Sequence, residues 1–322
     1  MAPAHGPSLG TLGAYDVRER GARAVAAFSQ AALDRPLAHA AELCVSIVAD
    51  DALLVGAFQR ADAWGDAPAD APSLPCLRRG SGGPEARVGA GSLHVALCLA
   101  HPGALVPCDE KRIVNRGVRP LLRALTKTGS LAHYFGRDWV SVAHAPVAWI
   151  GFAHDAGTRR TLVEAVVAVR VPFATRARAS FQDKAPATLE STRGAPVDVA
   201  RLGEAIVAAY AQDATLARLA EPPPAPFADD LRASPEPPWA ATVDEAIGTL
   251  GAGPDARGVF RVGGDLLVSR DALARLEERV ATARADELPA IVDATLAAPG
   301  VALEGVRSLA SVLDVVSRAR HG

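Results

Sequence analysis

The sequence predicts an α+β fold: a mixed, mainly antiparallel sheet packed against helices, followed by a small C-terminal α+β module. Three observations predict it. Leu93–Leu99 alternates large apolar residues with small or polar ones, at the two-residue period of a strand. Glu110–Lys127 repeats apolar residues at steps of three and four, as an amphipathic helix does. A proline-rich stretch, Glu221–Pro238, then separates these elements from the C-terminal ones.

The N-terminal elements are less regular. Residues 1–15 are small and contain glycine and proline, so we expect no regular structure there. Val17–Leu33 has helical spacing, and two strands are predicted around the Asp50-Asp51 turn, at Leu43–Val48 and Leu53–Phe58. Residues 61–75 are rich in proline and aspartate and are predicted to form a loop that covers or borders a site.

The central region is predicted to continue the sheet. Pro120 implies a kink or two pieces in the helix Glu110–Lys127. Three antiparallel strands follow, at Trp139–Val142, Val147–Ala153 and Thr161–Val171. The last strand places Val163, Ala165, Val167, Val169 and Val171 on one face. Its other face carries Glu164 and Arg170, and is therefore expected to be solvated or to line a site.

The domain boundaries follow from the prolines. We expect a first domain over residues 1–220, closed by a helix at Val199–Leu219, a linker over 221–239 and a small module over 240–322. In that module Gly263-Gly264 is predicted to turn a hairpin between Val259–Val262 and Asp265–Val268. Three helices should follow, at Arg270–Ala285, Glu287–Ala297 and Leu303–Arg320.

Composition narrows the function classes. A net charge of −2 and a pI near 6.5 argue against nucleic acid or an anionic membrane as the main partner. The chain shows neither a signal-peptide pattern nor an apolar run long enough for a transmembrane helix, so a cytoplasmic location is expected. Four scattered cysteines predict neither a disulfide scaffold nor a metal site. We interpret Cys98 as a small buried hydrophobe, with a catalytic nucleophile as the alternative.

The segment Arg78-Arg79-Gly80-Ser81-Gly82-Gly83 carries the strongest chemical signal. Its glycines allow close backbone approach, and consecutive N–H groups can form a nest for an anion. Two arginines add forked positive charge, which suits phosphate or carboxylate. A surface turn with solvated arginines is the alternative interpretation of this segment alone.

A resemblance gives the loop its context. Four segments in this order resemble the catalytic domain of the lipoate–protein ligase and biotin–protein ligase superfamily: Val55–Gln59, Leu77–Gly83, Gly91–Leu93 and Gly136–Val142. The resemblance covers about residues 20–180. It implies a class II synthetase-like fold, and the C-terminal module resembles the accessory domain of bacterial lipoate–protein ligases.

The resemblance also implies a ligand site. The family pattern suggests ATP or acyl-AMP with Mg²⁺, a small acyl molecule as ligand and a lipoyl or biotinyl acceptor domain as partner. The residues matching its ligand-binding positions are Arg78, Arg79, Ser81, Gly82, Gly83, Asp138 and Gly151. Asp138 has an alternative role as the ion-pair partner of Arg137 or Arg79. Trp139 and Trp149 are expected in the core rather than as a ligand platform.

Several family positions are changed in this chain. Where the pattern has a third glycine, a His-Asp pair, an asparagine and a catalytic lysine, this sequence has Pro84, Val88-Gly89, Ser92 and Ala148. No lysine occurs between Lys127 and Lys184. The remaining candidates for catalysis are Arg160, His154 and Asp138, with His144 behind them.

Two functions from different classes therefore remain. The first is an acyl ligase or transferase, for lipoyl, octanoyl or biotinyl groups, with a degenerate active site. The second is a non-catalytic relative that binds an acyl group, a nucleotide or an acceptor domain. Loss of the lysine removes a charge that would stabilise a reacting phosphate, which predicts weak or absent ATP-dependent activity.

Overall fold

The computed structural model describes residues 10–60, 74–136, 138–173, 184–226, 228–234 and 236–321. It confirms the predicted class, an α+β protein with a mainly antiparallel sheet and packed helices. The elements of the first part are β1 (Thr11–Tyr15), β2 (Arg18–Arg20), α1 (Ala22–Ala31), β3 (Ala41–Val48), β4 (Ala52–Val55), β5 (Cys76–Arg78), β6 (Ala86–Val88), β7 (Leu93–Leu99), α2 (Ile113–Lys127), β8 (Ala132–Tyr134), β9 (Trp139–Val142), β10 (Ala145–His154), β11 (Thr161–Val167), α3 (Leu189–Arg193), α4 (Val199–Ala211) and β12 (Thr215–Leu219).

The second part follows the proline-rich stretch. Its elements are β13 (Ala241–Glu245), β14 (Gly248–Pro254), β15 (Phe260–Gly264), β16 (Leu267–Ser269), α5 (Arg270–Thr282), α6 (Leu288–Leu296), β17 (Leu303–Glu304) and α7 (Leu309–His321). Strands β13, β14 and β15 form a separate three-stranded antiparallel sheet against which α5 and α7 pack. No described helix has both the length and the apolar character needed to cross a bilayer.

One large sheet organises the molecule. Its strands run in the order β12-β1-β3-β7-β11-β10-β16-β17, with β9 and β8 extending from β10 and β2 pairing with β3. The centre is antiparallel from β3 to β10, whereas β12, β1 and β3 are parallel and β16 lies parallel to β10. A second, small sheet has the order β5-β4-β6.

The large sheet has two differently covered faces. On the helix face, Leu93, Val95, Leu97 and Leu99 of β7 pack in one core with residues of α2 and α4. On the loop face, His94, Ala96 and Cys98 of β7 lie towards α1 and the Arg78–Gly83 loop. This alternation is the ordinary consequence of successive strand residues pointing to opposite faces. It continues in β10, where Ala148, Ile150 and Phe152 belong to the helix-face core and Trp149 lies on the loop face.

Four predicted elements differ from the structure. Thr11–Tyr15 is strand β1 rather than irregular, because it pairs with both β3 and β12. Val17–Leu33 is divided into strand β2 and helix α1. The predicted helix Val199–Leu219 ends at Ala211, and its remainder is strand β12. The predicted helix start at Leu303 is strand β17 instead, with α7 beginning at Leu309.

The predicted Gly263-Gly264 hairpin is wrong. Both glycines lie inside β15, paired with Leu250 and Gly251 of β14. Leu267–Ser269 leaves that sheet and pairs with β10 and β17 in the large sheet. Gly264 has a φ of 114°, and a Cβ there would lie 2.0 Å from the carbonyl oxygen of Thr249. Close strand approach, not a turn, therefore requires this glycine.

Other predictions hold in outline. Helix α2 continues through Pro120 as one element, and the strands predicted around residues 93–99 and 139–167 are present. The predicted loop at residues 61–75 falls mainly on 61–73, outside the described residues, as does the N-terminal stretch 1–9. The division into domains 1–220 and 240–322 stays a prediction, although β16 and β17 belong to the large sheet.

Candidate functional site

In the glycine-rich loop Arg78–Gly83, the backbone N–H groups of residues 80–83 donate to acceptors in other parts of the protein. The loop leaves β5 at Arg78 and crosses the loop face towards β10. Gly80 donates its N–H to Ser29 Oγ at 2.6 Å and Ser81 to Glu164 Oε2 at 3.0 Å, while Gly82 and Gly83 donate to the carbonyl oxygens of Phe152 and Leu266, each at 2.9 Å. Four consecutive backbone donors that could form an anion nest are thus already used by protein acceptors.

Arg79 fixes this loop from within. It is only 1% exposed, and its guanidinium donates to the carbonyl oxygens of Leu54, Gly83 and Pro84 at 2.6 to 2.8 Å. Longer hydrogen bonds reach Gly82 O and Ser81 Oγ. Burial lowers the pKa of Arg79 to about 10, partly offset by the charge of Glu164, so it remains protonated at neutral pH.

Glu164 supplies the negative charge that the loop surrounds. The side chain is fully buried, Oε1 lies 2.6 Å from His94 Nε2, and Oε2 accepts the Ser81 N–H. Burial opposes its ionisation, but the hydrogen bond and charge of His94, with Arg79 and Ser81 adding to them, hold the pKa of this carboxyl below its usual value. An internal carboxylate therefore occupies the Ser81 N–H, one of the donors that the sequence suggested for an external anion.

The loop and β10 leave little space between them. A Cβ built on Gly151 would lie 2.2 Å from Ser81 Oγ and 2.2 Å from the Trp149 ring, distances that no real side chain tolerates. Trp149 itself is buried, with the Arg79 guanidinium 3.8 Å from its ring centroid. The small residue at Gly151 thus permits direct packing of the loop on the strand.

Arg78 points away from this cluster. It donates to the carbonyl oxygens of Gly56 and Gln59 and forms an ion pair of 2.8 Å with Glu236 of the proline-rich stretch. It also lines a cleft of about 350 Å³ next to Trp239, Arg261 and Arg270. The two arginines therefore lie in separate environments, as strand alternation predicts.

The remaining candidates do not converge on the loop. Ala148 is fully buried on the helix face, paired with Val140 and Val167. His154 is buried with its Nδ1 2.9 Å from Thr161 Oγ1, and burial lowers its pKa. Arg160 donates to the carbonyl oxygens of Leu33 and Asp34, just beyond the end of α1.

Asp138, His144 and Trp139 have other surroundings. Asp138 is buried at the start of β9 and lines a cavity of about 160 Å³ with Tyr134 and Glu304. His144 is exposed in the two-residue turn between β9 and β10, with a φ of 66°. Trp139 is buried in the core, as expected. Arg137, considered as a partner of Asp138, lies outside the described residues.

The structure describes the surroundings of Cys98, for which a buried role was predicted with a catalytic nucleophile as the alternative. Cys98 is buried on the loop face, and burial raises the pKa of its thiol to about 12, so it is protonated at neutral pH and a poor nucleophile. In the ranges that the structure describes, no three or more histidine, cysteine or acidic side chains are grouped as metal ligands.

Sequence reasoning missed His94 and Glu164 as a pair. Glu164 was expected on a solvated or site-lining face, and His94 only as a member of an alternating strand. The available signal was that each is a polar residue in an otherwise apolar strand, on the face opposite the large apolar side chains. Strands β7 and β11 are neighbours, and their register sets His94 opposite Val166 and Glu164 opposite Ala96. The two side chains are therefore diagonal neighbours, two residues apart on the same face of the sheet.

Comparison with solved structures identifies the fold. P. falciparum LipL1 in complex with lipoate matches with a TM-score of 0.62 and 11% identity over 96% of this chain and 100% of that one. A T. acidophilum protein with bound lipoic acid matches with a TM-score of 0.50 and 12% identity over 65% and 90%. Lipoate-protein ligase A bound with ATP matches with a TM-score of 0.49 and 13% identity over 64% and 90%.

The first two likenesses show the fold of the lipoate-protein ligases. The biotin protein ligase of Aquifex aeolicus matches this chain with a lower TM-score of 0.34 and 11% identity over 63% of this chain and 69% of that one. At 11% to 12% identity the first two likenesses show the fold alone. No protein-family model and no curated protein matches this sequence.

Proposed function

We propose that this chain is a lipoate–protein ligase-like protein that does not perform ATP-dependent acyl ligation and acts instead by binding. The carrying observation is the closed loop: every N–H from Gly80 to Gly83 donates to a protein acceptor, and one of these acceptors is the buried carboxylate of Glu164. The N–H groups that a phosphate would need as hydrogen-bond donors are thus already bonded to acceptors within the protein.

The residues present do not fit ATP or an acyl adenylate at this loop. A bound phosphate requires free backbone donors and an available cation. Here the guanidinium of Arg79 is committed to carbonyl oxygens, and Glu164 would place a second negative charge beside the phosphate. Like charges in a buried site repel strongly because the local dielectric is low.

Ala148 adds a second argument. By the family pattern it occupies the position of the catalytic lysine, and in this protein it lies in the apolar core with Ile150 and Phe152. A lysine at 148 would need to bury an ammonium group among hydrocarbon side chains, which is costly without a partner. Ala148→Lys is therefore expected to destabilise the protein rather than to restore a reaction.

The binding partner belongs to the same proposal. Full-length likeness to a structure in complex with lipoate supports testing a small acyl molecule and a lipoyl or biotinyl acceptor domain. Binding without transfer would distinguish this function from a working ligase. The competing function is the acyl ligase or transferase, which requires the loop to open and Glu164 to leave its donors.

The test is single-turnover transfer of labelled lipoate or biotin to an acceptor domain, with and without ATP and Mg²⁺. A competent lipoate–protein ligase serves as the positive control, and titration of the acceptor domain without ATP measures binding. We expect binding of the acceptor domain and no transfer above the sample lacking protein.

Two outcomes contradict the proposal in different ways. ATP-dependent transfer by the wild-type protein would overturn the non-catalytic assignment, and loss of that transfer in Arg160→Ala would then identify a replacement for the lysine. Absence of both transfer and acceptor binding would overturn the assigned binding role.

A further inference from the structure

Helix α2 carries a row of positive charge along its outer side. The row consists of four arginines and one lysine, spaced at steps of four, three, four and four residues: Arg112, Arg116, Arg119, Arg123 and Lys127. Residues three and four apart are neighbours on a helix surface. At 1.5 Å per residue the row is about 22 Å long. We call these five residues the basic stripe.

No acidic residue interrupts the basic stripe, since Ile113–Lys127 contains neither aspartate nor glutamate. Helices α5 and α7 instead pair opposite charges four residues apart, Asp271 with Arg275 and Asp314 with Arg318. Like charges three and four residues apart repel, and cations near the N-terminus of a helix oppose its dipole. The stripe therefore lowers the stability of α2, and an anionic partner would relieve this repulsion.

Little of this charge is neutralised within the protein. Asp109 lies 4.0 Å from Arg112, and Asp213 lies 3.9 Å from Arg123, distances at which a partly exposed ion pair is weak. The described part of the chain gives the other three members of the stripe no side-chain hydrogen bond or ion pair: Arg116, Arg119 and Lys127. The stripe is therefore a surface of largely unneutralised positive charge.

Two exposed apolar side chains lie just beyond the end of α2. Leu131 is 64% exposed and Phe135 is 68% exposed, on either side of β8, which packs against α2. The Phe135 ring stacks on the ring of His133, with centroids 6.2 Å apart. Exposed aromatic side chains are common anchors of protein interfaces. The surface is thus basic along α2 and apolar next to its C-terminal end.

Charge and burial favour a short acidic protein segment over other polyanions. The whole chain carries −2 and the stripe +5, so the rest of the surface is net negative and would repel a nucleic acid that extends past the stripe. A membrane-surface helix inserts its own apolar side into the bilayer. The apolar residues of α2, such as Leu121 and Leu125, are instead buried in the core of the large sheet.

We propose that the basic stripe, with Leu131 and Phe135, binds an acidic amphipathic segment of a partner protein, about fifteen to twenty residues long. Its carboxylates accept hydrogen bonds from the guanidinium groups, whose forked donors match a carboxylate. Its apolar side chains cover Leu131 and Phe135. The stripe lies on the helix face and the closed loop on the other, so this surface does not depend on the proposed function.

The experiment measures the fluorescence anisotropy of a labelled, alanine-based peptide of about twenty residues, titrated with the full-length protein. Its glutamates repeat at steps of four and three, and two leucines follow them, to match the stripe and the apolar pair. We expect a dissociation constant of about 1–100 µM at low salt, and weaker binding as added salt screens the charges. The same peptide with glutamine in place of glutamate should bind at least about tenfold more weakly.

A matched pair of double variants tests the stripe. Arg116→Glu with Arg119→Glu reverses its two central charges and should weaken peptide binding at least about tenfold. Arg159→Glu with Arg257→Glu makes the same change of net charge at exposed arginines outside α2 and should leave peptide binding unchanged.

A second matched pair tests the apolar side chains. Phe135→Ser removes apolar area that the peptide covers and should weaken binding about threefold to tenfold. Val259→Ser changes another exposed apolar residue, in the second part of the chain, and should leave binding unchanged.

The proposal is overturned if the folded wild-type protein does not bind the acidic peptide. It is also overturned if the glutamine peptide, a DNA duplex of about twenty base pairs or phosphatidylserine vesicles bind as tightly. Equal peptide binding by the two double variants would overturn the role of the stripe, and equal binding by Phe135→Ser and Val259→Ser would overturn the role of the apolar pair.

Titration of an acceptor domain against the stripe variant separates this surface from the proposed function. Loss of acceptor-domain binding in Arg116→Glu with Arg119→Glu would overturn a separate partner, because the stripe would then belong to the acceptor's own site. Unchanged acceptor-domain binding together with weakened peptide binding supports two distinct surfaces. Thermal unfolding of each variant establishes that a loss of binding is measured on folded protein.

Discussion

The two faces of the large sheet carry opposite kinds of chemistry. The loop face buries Arg79, Glu164 and His94, with each charge held by hydrogen bonds inside the protein. The helix face is apolar, yet it contains a cavity of about 180 Å³ and the Arg123 Nε, which is buried without an acceptor among the described residues. On the loop face the indole Nε1 of Trp149 is likewise buried without an acceptor among the described residues. Donors that suit a phosphate do not make a site when internal groups already use them.

The largest expected effect compares two neighbouring arginines. Arg79→Met removes the donors for the buried carbonyl oxygens of Leu54, Gly83 and Pro84 and leaves Glu164 with less positive charge. We expect it to lower the free energy of unfolding by about 3–5 kcal/mol. Arg78→Met, at a partly exposed position, should lower it by about 1–2 kcal/mol. Urea denaturation followed by circular dichroism measures both.

Equal effects of Arg79→Met and Arg78→Met would contradict the role assigned to Arg79. A folded Arg79→Met variant of unchanged stability would show that Arg79 does not stabilise the loop and is available to bind a ligand.

Local pattern predicted the centre of the fold well. The alternation in Leu93–Leu99 and the apolar steps in Glu110–Lys127 are properties of short segments. Both elements are present, the helix as Ile113–Lys127. Thr215–Leu219 was predicted as the end of a helix, because nothing nearby shows that β1 will pair with it some 200 residues earlier in the chain. The prediction of a Gly263-Gly264 turn failed for a similar reason, since β14 pairs with the two glycines themselves and β10 pairs with β16, which follows them.

At the candidate site, too, a property of a short segment could be predicted and a long-range contact could not. The composition of the Arg78–Gly83 loop correctly suggested close backbone approach, and Gly82 and Gly83 do approach other chain segments. The identity of the approaching group could not be predicted, because Glu164 reaches Ser81 only through the register of β11 on β10 and β7. Side-chain burial depends on such long-range pairing, and a single sequence does not contain it explicitly.

The next effect concerns the internal anion. Glu164→Gln keeps the shape of the side chain and removes its charge, so we expect a loss of about 1.5–3 kcal/mol in the free energy of unfolding at pH 7. The control Glu204→Gln breaks an exposed pair with Arg218 and should cost about 0–1 kcal/mol. Chemical denaturation at pH 7 measures the two losses.

The same pair of proteins gives a pH dependence with a defined sign. The pKa of Glu164 is lower in the folded state than its ordinary value of 4.5, so its stabilising contribution is present above that pH and is lost as the carboxyl becomes protonated in acid. The stability difference between wild type and Glu164→Gln should therefore shrink below pH 4.5. Glu42, whose pKa is also lowered, contributes equally to both proteins and cancels in the difference. A difference that grows in acid would show that Glu164 is buried as a neutral acid.

The smallest effect compares one glycine on each face. Gly151→Ala on the loop face forces a methyl group to within 2.2 Å of Ser81 Oγ and Trp149, and the closed loop has no free space to accommodate it. We expect a loss of about 1–3 kcal/mol in the free energy of unfolding. Gly117→Ala on the helix face meets only the Val163 methyl groups at 3.3 Å, and alanine is favoured over glycine in a helix by about 1 kcal/mol. Thermal and urea unfolding of the two variants should thus give opposite or clearly unequal changes. A Gly151→Ala variant as stable as Gly117→Ala would mean that the loop can move away from β10, and an open loop would restore the anion nest that the closed one lacks.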